Sequence, residues 1–352
     1  MKKSLLALAT LTAFAGAASA QSSVTLFGIV DAGVARLSAG GNSVTGMTNS
    51  GYNSSRLGFR GVEDLGGGLQ AGFWLEGQLA NDSGEGAAGG GGLNFQRRST
   101  VSLMGGFGEI RLGRDYTPEF WNLTIYDPFG TVGIGSNNTI AMLAGQANVT
   151  TAVRSNNAVS YFTPNMGGFS AQVMYAFGEK SSALGSAKKE NNYLGVRAGY
   201  AAGPVSVHAT YGKTEGAADA ADHKVWNVGA SFNAGFLTAS LLVQQEKNGA
   251  GLQAMAIEPG IQVPVGAGVI RASYGHYDQK KGTAAWNDND YQKIAVGYLH
   301  NMSKRTTLYA TYARIANDGT QTKTVATNGL GGVLSSPGGN SSGFEFGVRH
   351  AF

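Results

Sequence analysis

The sequence predicts an all-β fold, a 16-stranded antiparallel transmembrane β-barrel, and three observations lead to it. The chain of 352 residues contains 55 glycines and 14% charged residues, whereas average soluble domains contain about 7% Gly and about 25% charged residues. Apolar and polar residues alternate in segments of about ten residues, which is the strand length that spans a bilayer. Short Gly-rich turns alternate with long polar loops, as in outer-membrane barrels.

The first twenty residues predict a cleaved secretory signal. Two lysines precede an apolar stretch at 5–18, and residues 18–20 (Ala-Ser-Ala) fit a small-residue cleavage site. A retained anchor helix is the alternative reading of the same pattern. We expect residues 1–20 to be removed and residues 21–352 to form a single barrel domain outside the cytoplasm.

The strand period is clear in the window 168–178. Phe169 and Val173 fall on one face, and Ser170 and Gln172 fall on the other. This period of two recurs through most of the chain and is typical of strands rather than helices. Seven short turns and eight longer loops then connect sixteen strands, and the loops lie near 38–50, 81–94, 117–153, 179–190, 214–223, 246–251, 279–289 and 316–342.

A soluble β-sandwich is the alternative fold for such alternation. A sandwich buries its apolar faces between two sheets, and its strands are usually shorter. In this chain the apolar face ends in aromatic residues such as Tyr211, Tyr274 and Tyr298, which resemble interfacial girdles. The opposite face is too polar to form a core, so it requires a water-filled interior, and a sheet in lipid must close to satisfy its backbone.

The composition argues against several other functions. The chain has no cysteine, which excludes a disulfide framework and thiol catalysis. Its net charge of +4 is too small to indicate nucleic-acid binding. The G-x-S-x-G string at 339–343 precedes a strand, whereas a catalytic nucleophile elbow needs a strand-to-helix turn. We therefore expect no enzyme activity, no cofactor and no metal site.

Several motifs spread along the chain match one protein family. They are VTLFGIVD at 24–31, SRLGFRG at 55–61, EDLGGGL at 63–69, GFWLE at 72–76, FQRRSTVSL at 95–103, FGEIRLGR at 107–114 and GVRHAF at 347–352. With these motifs the chain resembles the trimeric general porins of Gram-negative bacteria, most closely the anion-selective type of β-proteobacteria. The resemblance implies sixteen strands, a homotrimer in the outer membrane among lipids and lipopolysaccharide, and a third long loop folded into the lumen. The terminal Phe352 resembles the signal that the barrel-assembly machinery reads.

The strand period itself selects candidate pore residues. If Leu75 faces lipid, its neighbour Glu76 faces the lumen. If Leu57 and the residue two positions later face lipid, Arg56 and Arg60 face the lumen. These side chains would form one wall of the pore.

The resemblance adds the remaining candidates. It places Arg97 and Arg154 in the same basic ladder; Arg97 is placed by resemblance alone, because two consecutive arginines, Arg97 and Arg98, cannot both point inward on a regular strand. The segment 117–153 is too long for an ordinary hairpin, and a loop of this length is usually either functional or disordered. Its Trp, Phe, Ile and Leu residues favour packing over disorder. By resemblance this segment is the constriction loop, with Glu119 near its start and Asp127 projecting toward the pore.

The candidate function is weakly anion-selective passive diffusion of small hydrophilic solutes and ions. A unit charge about 8 Å away in water contributes about 0.5 kcal/mol, and rings of arginine are a known source of anion preference in pores. The arginines could instead be wall struts paired with carboxylates. A channel that prefers organic acids or phosphate is the alternative function, and an outer-membrane lipase or a plugged structural barrel are weaker ones.

Overall fold

The computed structural model describes residues 23–86, 92–137, 151–283, 287 and 289–352. The predicted signal segment 1–20 and the middle of the predicted constriction loop lie outside the described residues. The strands are β1 (Ser23–Ala39), β2 (Asn42–Asn49), β3 (Arg56–Gly66), β4 (Leu69–Gln78), β5 (Arg98–Gly105), β6 (Gly108–Tyr116), β7 (Arg154–Phe162), β8 (Phe169–Ala176), β9 (Tyr193–Ala202), β10 (Val205–Thr214), β11 (His223–Asn233), β12 (Thr238–Asn248), β13 (Gln253–Val265), β14 (Gly268–Lys281), β15 (Tyr291–Asn301), β16 (Thr306–Asn317) and β17 (Ser341–Ala351). The helices in this part of the chain are α1 (Pro118–Tyr126) and two 3-10 helices, Ser182–Lys189 and Asp219–Ala221.

The seventeen strand segments form the sixteen strands of one closed antiparallel barrel, because two of the segments share one barrel position. This confirms the predicted fold. Consecutive strands pair in order, and β1 closes the barrel by pairing with β17 from Ile29–Ala351 to Ala39–Ser341. On its other side β1 pairs with β2 through residues 32–39 and with β3 through residues 23–29. The segments β2 and β3 therefore act as one barrel strand that is interrupted between them.

A side chain of β1 holds this interruption in place. Both carboxylate oxygens of Asp31 accept backbone N–H groups, from Gly51 at 3.2 Å and from Tyr52 and Asn53 at 2.9 and 2.6 Å. The hydroxyl of Tyr309 also donates to Asp31, at 2.8 Å. Buried backbone groups that are not paired within the sheet need other hydrogen-bond partners. By accepting these N–H groups, the Asp31 carboxylate stabilises the interruption between β2 and β3.

The expectation of a long loop near 38–50 is wrong. Ala39 pairs directly with Asn42, so the connection is a two-residue turn, and β2 occupies most of the expected loop. Gly40 and Gly41 have φ angles of 56° and 81°. Positive φ at both central residues is typical of a type I′ hairpin turn, for which Gly-Gly is a preferred sequence.

The two faces of the wall differ as the alternation predicts. On β17 the exposed fractions of Phe344 and Phe346 are 51% and 58%, whereas Glu345 between them is fully buried. Apolar side chains cover the outer surface in the same way around the barrel, which is the surface that lipid solvates. Among the described residues, no helix has the length and apolar character of a membrane-spanning helix.

Helix α1 packs against the polar face of the wall, on β9, β10, β11 and β12. It begins with Pro118, whose fixed φ suits the first helical position. Glycines on the polar face provide the space for this contact. A Cβ atom on Gly229 would lie 1.9 Å from Cδ2 of Tyr126, and one on Gly212 would lie 2.6 Å from Oε1 of Glu119. These close approaches explain why glycine occupies both wall positions.

Candidate pore constriction

Glu76, on the polar face of β4, is the centre of a charged cluster. Its Oε1 atom accepts hydrogen bonds from Nε of Arg97 at 2.6 Å and from Nη1 of Arg56 at 3.2 Å. The indole N–H of Trp74 donates to Oε2 at 3.1 Å. The carboxylate thus has three donors, and it bridges two of the predicted ladder arginines.

Arg154 completes the cluster without contacting this acid. Its Nε atom donates to the carbonyl oxygen of Arg97 at 2.7 Å, and its guanidinium carbon lies 4.3 Å from the ring centroid of Tyr116. Arg97 also donates to the Tyr116 hydroxyl at 3.2 Å. Within the described part of the chain, no carboxylate lies at ion-pair distance from Arg154. Three arginines and one glutamate give this cluster a net charge of +2.

Arg97 and Arg98 both lie on the polar face, although consecutive residues of a regular strand point to opposite faces. Arg97 contacts Glu76, and Arg98 lies over the ring of Trp74 at 4.6 Å, so both side chains lie on the polar face. The reason is that β5 begins at Arg98. Arg97 precedes the regular strand, and the alternation of faces does not apply to it.

Arg60 lies apart from the cluster. It is on the same face of β3 as Arg56 but four residues nearer the short-turn end, about 13 Å along the strand. Its guanidinium carbon lies 5.3 Å from the ring centroid of Phe27 and 5.1 Å from that of Trp74. It therefore does not join the arginines around Glu76.

Glu119 points from α1 into the wall and is 4% exposed. Its carboxylate accepts a hydrogen bond from the hydroxyl of Tyr193 on β9, and its backbone carbonyl accepts from Asn227 at 3.1 Å. Burial raises the pKa of Glu119 to about 7, an effect that the Tyr193 hydrogen bond partly offsets. In this position the side chain anchors the helix to the wall.

Asp127 does not project toward the pore, in contrast to the expectation from resemblance. It is 3% exposed, and its carboxylate accepts backbone N–H groups of Phe129, Thr131 and Asn137 at 2.8, 2.8 and 3.0 Å. These bonds close the turn that follows α1. Buried polar groups need such partners. The Asp127 carboxylate therefore binds backbone groups of its own loop and does not face the lumen.

Two basic residues on strands across the barrel from Glu76 contact the same loop. Neither was among the candidates that the sequence suggested. Arg271 on β14 is 2% exposed, donates to the carbonyl oxygen of Pro128 at 3.3 Å and lies 4.5 Å from the ring centroid of Phe129. Lys293 on β15 donates to the carbonyl oxygen of Ser136. The strand period could have found them, since the exposed Ile270 beside Arg271 and the exposed Ile294 beside Lys293 assign both basic residues to the polar face.

The terminal residue closes the barrel at its short-turn end. The backbone N–H and carbonyl of Phe352 both pair with Gly28, at 3.1 Å each. Its ring lies over this glycine, where a Cβ atom would be 2.3 Å from Cζ of Phe352.

Among the residues that the structure describes, no group of three or more His, Asp or Glu side chains is arranged to hold a metal ion.

Comparison with known proteins gives consistent matches over the whole barrel. The family model described as Gram-negative porin matches residues 7–320. Outer membrane porin protein 32 of Delftia acidovorans is 44% identical over 364 residues, which cover 100% of both chains. An outer membrane porin of Bordetella pertussis is 31% identical and covers 88% of this chain and 93% of its own. The solved structure of an anion-selective porin from Comamonas acidovorans superposes with a TM-score of 0.85 at 42% identity, covering 94% of this chain and 100% of that one.

Proposed function

This chain belongs to the Gram-negative porin family, and we propose that its pore favours anions over cations. As an outer-membrane porin it is a channel for passive diffusion rather than an enzyme. The observation that carries the proposal is the net positive cluster around Glu76, in which Arg154 contacts no carboxylate of the described residues. The anion selectivity of the related Comamonas porin agrees with it.

The size of the preference follows from the charge of the cluster. An anion that passes about 8 Å from a unit charge in water gains about 0.5 kcal/mol. A net charge of +2 then favours the anion by about 1 kcal/mol, or about fivefold in local concentration before screening. Since the Debye length is about 8 Å at physiological ionic strength, the preference weakens as salt rises.

The pore residues have different roles in this proposal. Arg56, Arg97 and Arg154 attract the anion, and Glu76 orients two of them. Arg60 acts nearer the short-turn end of the pore. The described parts of the loop, 117–137 and 151–153, would narrow the channel from the side opposite Glu76, with Glu119 and Asp127 fixing its position rather than facing the solute.

Assembly and processing complete the proposal. Cleavage of residues 1–20 leaves a single barrel domain at 21–352, which forms a homotrimer among outer-membrane lipids and lipopolysaccharide. The pairing of Phe352 with Gly28 at the rim supports a role for the terminal residue as the signal for the barrel-assembly machinery. Deleting Phe352 should reduce insertion in cells, and unchanged insertion would contradict this role.

The test is the reversal potential of the refolded protein in a planar bilayer across a KCl gradient. We expect a chloride-directed sign and conductance that appears in steps of three. A potassium-directed sign would refute anion selectivity while leaving the channel function intact. Flux that saturates with one organic acid or with phosphate would favour the alternative of a substrate-preferring channel.

A further inference from the structure

A cavity of about 480 Å³ opens on the outer face of the barrel, where the loop ends of the neighbouring segments β2, β1, β17 and β16 meet. It is lined by Arg36 and Arg314 together with hydroxyl and amide side chains, among them Ser38, Ser43 and Ser342. None of the described residues that line it is acidic. Because the cavity lies outside the lumen, it is separate from the residues of the pore.

The strand register places both arginines on the outer face. Arg36 on β1 is paired with Phe344 on β17, and Phe344 is paired with Tyr312 on β16. Directly paired residues present their side chains on the same face, and Phe344 is 51% exposed. Arg314, two residues beyond Tyr312, lies on this face one step nearer the loops. One strand separates the two arginines, and their Cα atoms are about 12 Å apart.

The charge of both arginines is uncompensated within the described part of the chain. Arg36 donates to the hydroxyl oxygens of Ser43 at 2.9 Å and Thr45 at 3.4 Å. These neutral acceptors position its guanidinium but leave its charge. No carboxylate of the described residues lies at ion-pair distance from Arg36 or Arg314. Since like charges repel, two neighbouring arginines without an acid favour an anion between them, and guanidinium groups bind phosphate through paired N–H donors.

The neighbours of the cavity fix its level in the bilayer. The ring centroids of Tyr312 and Phe344 lie 4.6 Å apart beside the two arginines, as in the aromatic girdles at a membrane interface. On the short-turn side of these rings, the exposed Val34 and Phe346 continue the apolar surface that lipid solvates. A basic residue on this surface costs much less near the interface than at the bilayer midplane. The long-loop end of an outer-membrane barrel is extracellular, so the cavity lies at the headgroup level of the outer leaflet.

We propose that this cavity binds a phosphate group of the lipid anchor of lipopolysaccharide, with the phosphate held by Arg36 and Arg314 and the acyl chains lying on the apolar surface beside Phe346. A lipid phosphate fits this place better than a free phosphate, because the arginines adjoin an apolar wall that a lipid covers. The inference rests on the outer-membrane assembly of the proposed function, and it assigns the lipid contact to residues that have no part in the pore.

The experiment measures lipid binding to the refolded protein in detergent by native mass spectrometry, which also reports how many copies of the chain are associated. The probe is diphosphoryl lipid A. The comparisons are the same lipid after enzymatic removal of its phosphates, and glucosamine 1-phosphate, which has a phosphate but no acyl chains. We expect saturable binding of diphosphoryl lipid A and much weaker binding of the two comparison compounds.

Variants assign the phosphate to the two arginines. Arg36→Ala and Arg314→Ala should each raise the dissociation constant of diphosphoryl lipid A about fivefold, the ratio that corresponds to about 1 kcal/mol for a basic residue at a membrane surface. The double variant should bind the phosphorylated and the dephosphorylated lipid with similar affinity. Arg305→Ala, which removes an exposed arginine at the short-turn end between β15 and β16, is the matched control and should leave the dissociation constant unchanged.

The outcomes distinguish this site from the proposed function. A chloride-directed reversal potential, together with equal binding of the phosphorylated and dephosphorylated lipids, would refute the site alone. Glucosamine 1-phosphate that binds as tightly as lipid A would replace the lipid with a free phosphorylated solute. Fewer trimers in the Arg36→Ala and Arg314→Ala variants, with unchanged lipid binding, would mean that this face contacts a second copy of the chain and would overturn the lipid assignment.

Discussion

Replacing Arg154 with alanine is the most direct test of the charge cluster. In the described residues this side chain contacts a carbonyl oxygen and the ring of Tyr116 but no carboxylate. Its removal therefore lowers the charge of the cluster from +2 to +1 without leaving an acid unpaired. Arg56→Ala or Arg97→Ala would be harder to interpret, because each would also change the environment of Glu76.

The expected change is small and depends on salt. Loss of one unit charge about 8 Å from the path of the anion costs about 0.5 kcal/mol in water, which is slightly more than twofold in local anion concentration. Screening leaves about a twofold effect near 0.01 M salt, where the Debye length is about 30 Å, and about a 1.4-fold effect at 0.15 M. The assay is the KCl reversal potential of the variant in a planar bilayer at both salt concentrations.

A conservative variant separates charge from geometry. Arg154→Lys keeps the unit charge but loses the planar group over Tyr116, so it should retain most of the anion preference. Unchanged selectivity at low salt, in an Arg154→Ala variant that folds and conducts, would rule out a role for this charge. Equal losses of selectivity in Arg154→Lys and Arg154→Ala would also rule it out, since the charge would then not be the cause.

Three further predictions concern the acid of the cluster and the packing of the loop helix. Glu76→Gln raises the cluster charge to +3 and should increase anion preference about twofold at low salt; a smaller chloride-directed potential would contradict this. The raised pKa of Glu119, about 7, means that the contribution of this group to stability is fully present below pH 4.5 and is lost as pH rises through 7. The free energy of unfolding falls by about 3 kcal/mol over this pH range. The unfolding midpoints measured at pH 5 and at pH 8 should therefore differ less in Glu119→Gln than in the wild type. Gly229→Ala places a Cβ atom 1.9 Å from the ring of Tyr126 and should shift α1 and alter single-channel conductance, whereas Gly106→Ala, with open space around it, should not.

The packing of the loop helix also explains a feature of the composition. Glycines are frequent in this chain for more than one reason. Some, such as Gly40 and Gly41, provide positive φ in turns. Others, such as Gly212 and Gly229, lie within strands on the polar face, where they leave room for Glu119 and Tyr126 of the helix. A glycine inside a strand often marks such a close approach.

The strands that form the barrel wall can be predicted from the amino-acid sequence alone. A period of two is a property of the extended backbone, so the alternation predicted the strands, their faces and the inward direction of Arg56, Arg60 and Glu76 without knowledge of any contact. The Gly-Gly pair at 40–41 is also a sequence signal for the two-residue hairpin turn that connects β1 and β2.

Which charged side chains contact each other depends on tertiary packing and could not be predicted from the sequence. Arg97 lies just before β5, so no periodic rule gives its direction, and its bond to Glu76 depends on where the strand begins. Asp127 turns back onto its own loop, and Arg271 reaches that loop from the opposite wall. These contacts join residues that are distant in the chain or lie outside regular strands. Their geometry follows from how the loop packs against the closed wall, which local periodicity does not encode.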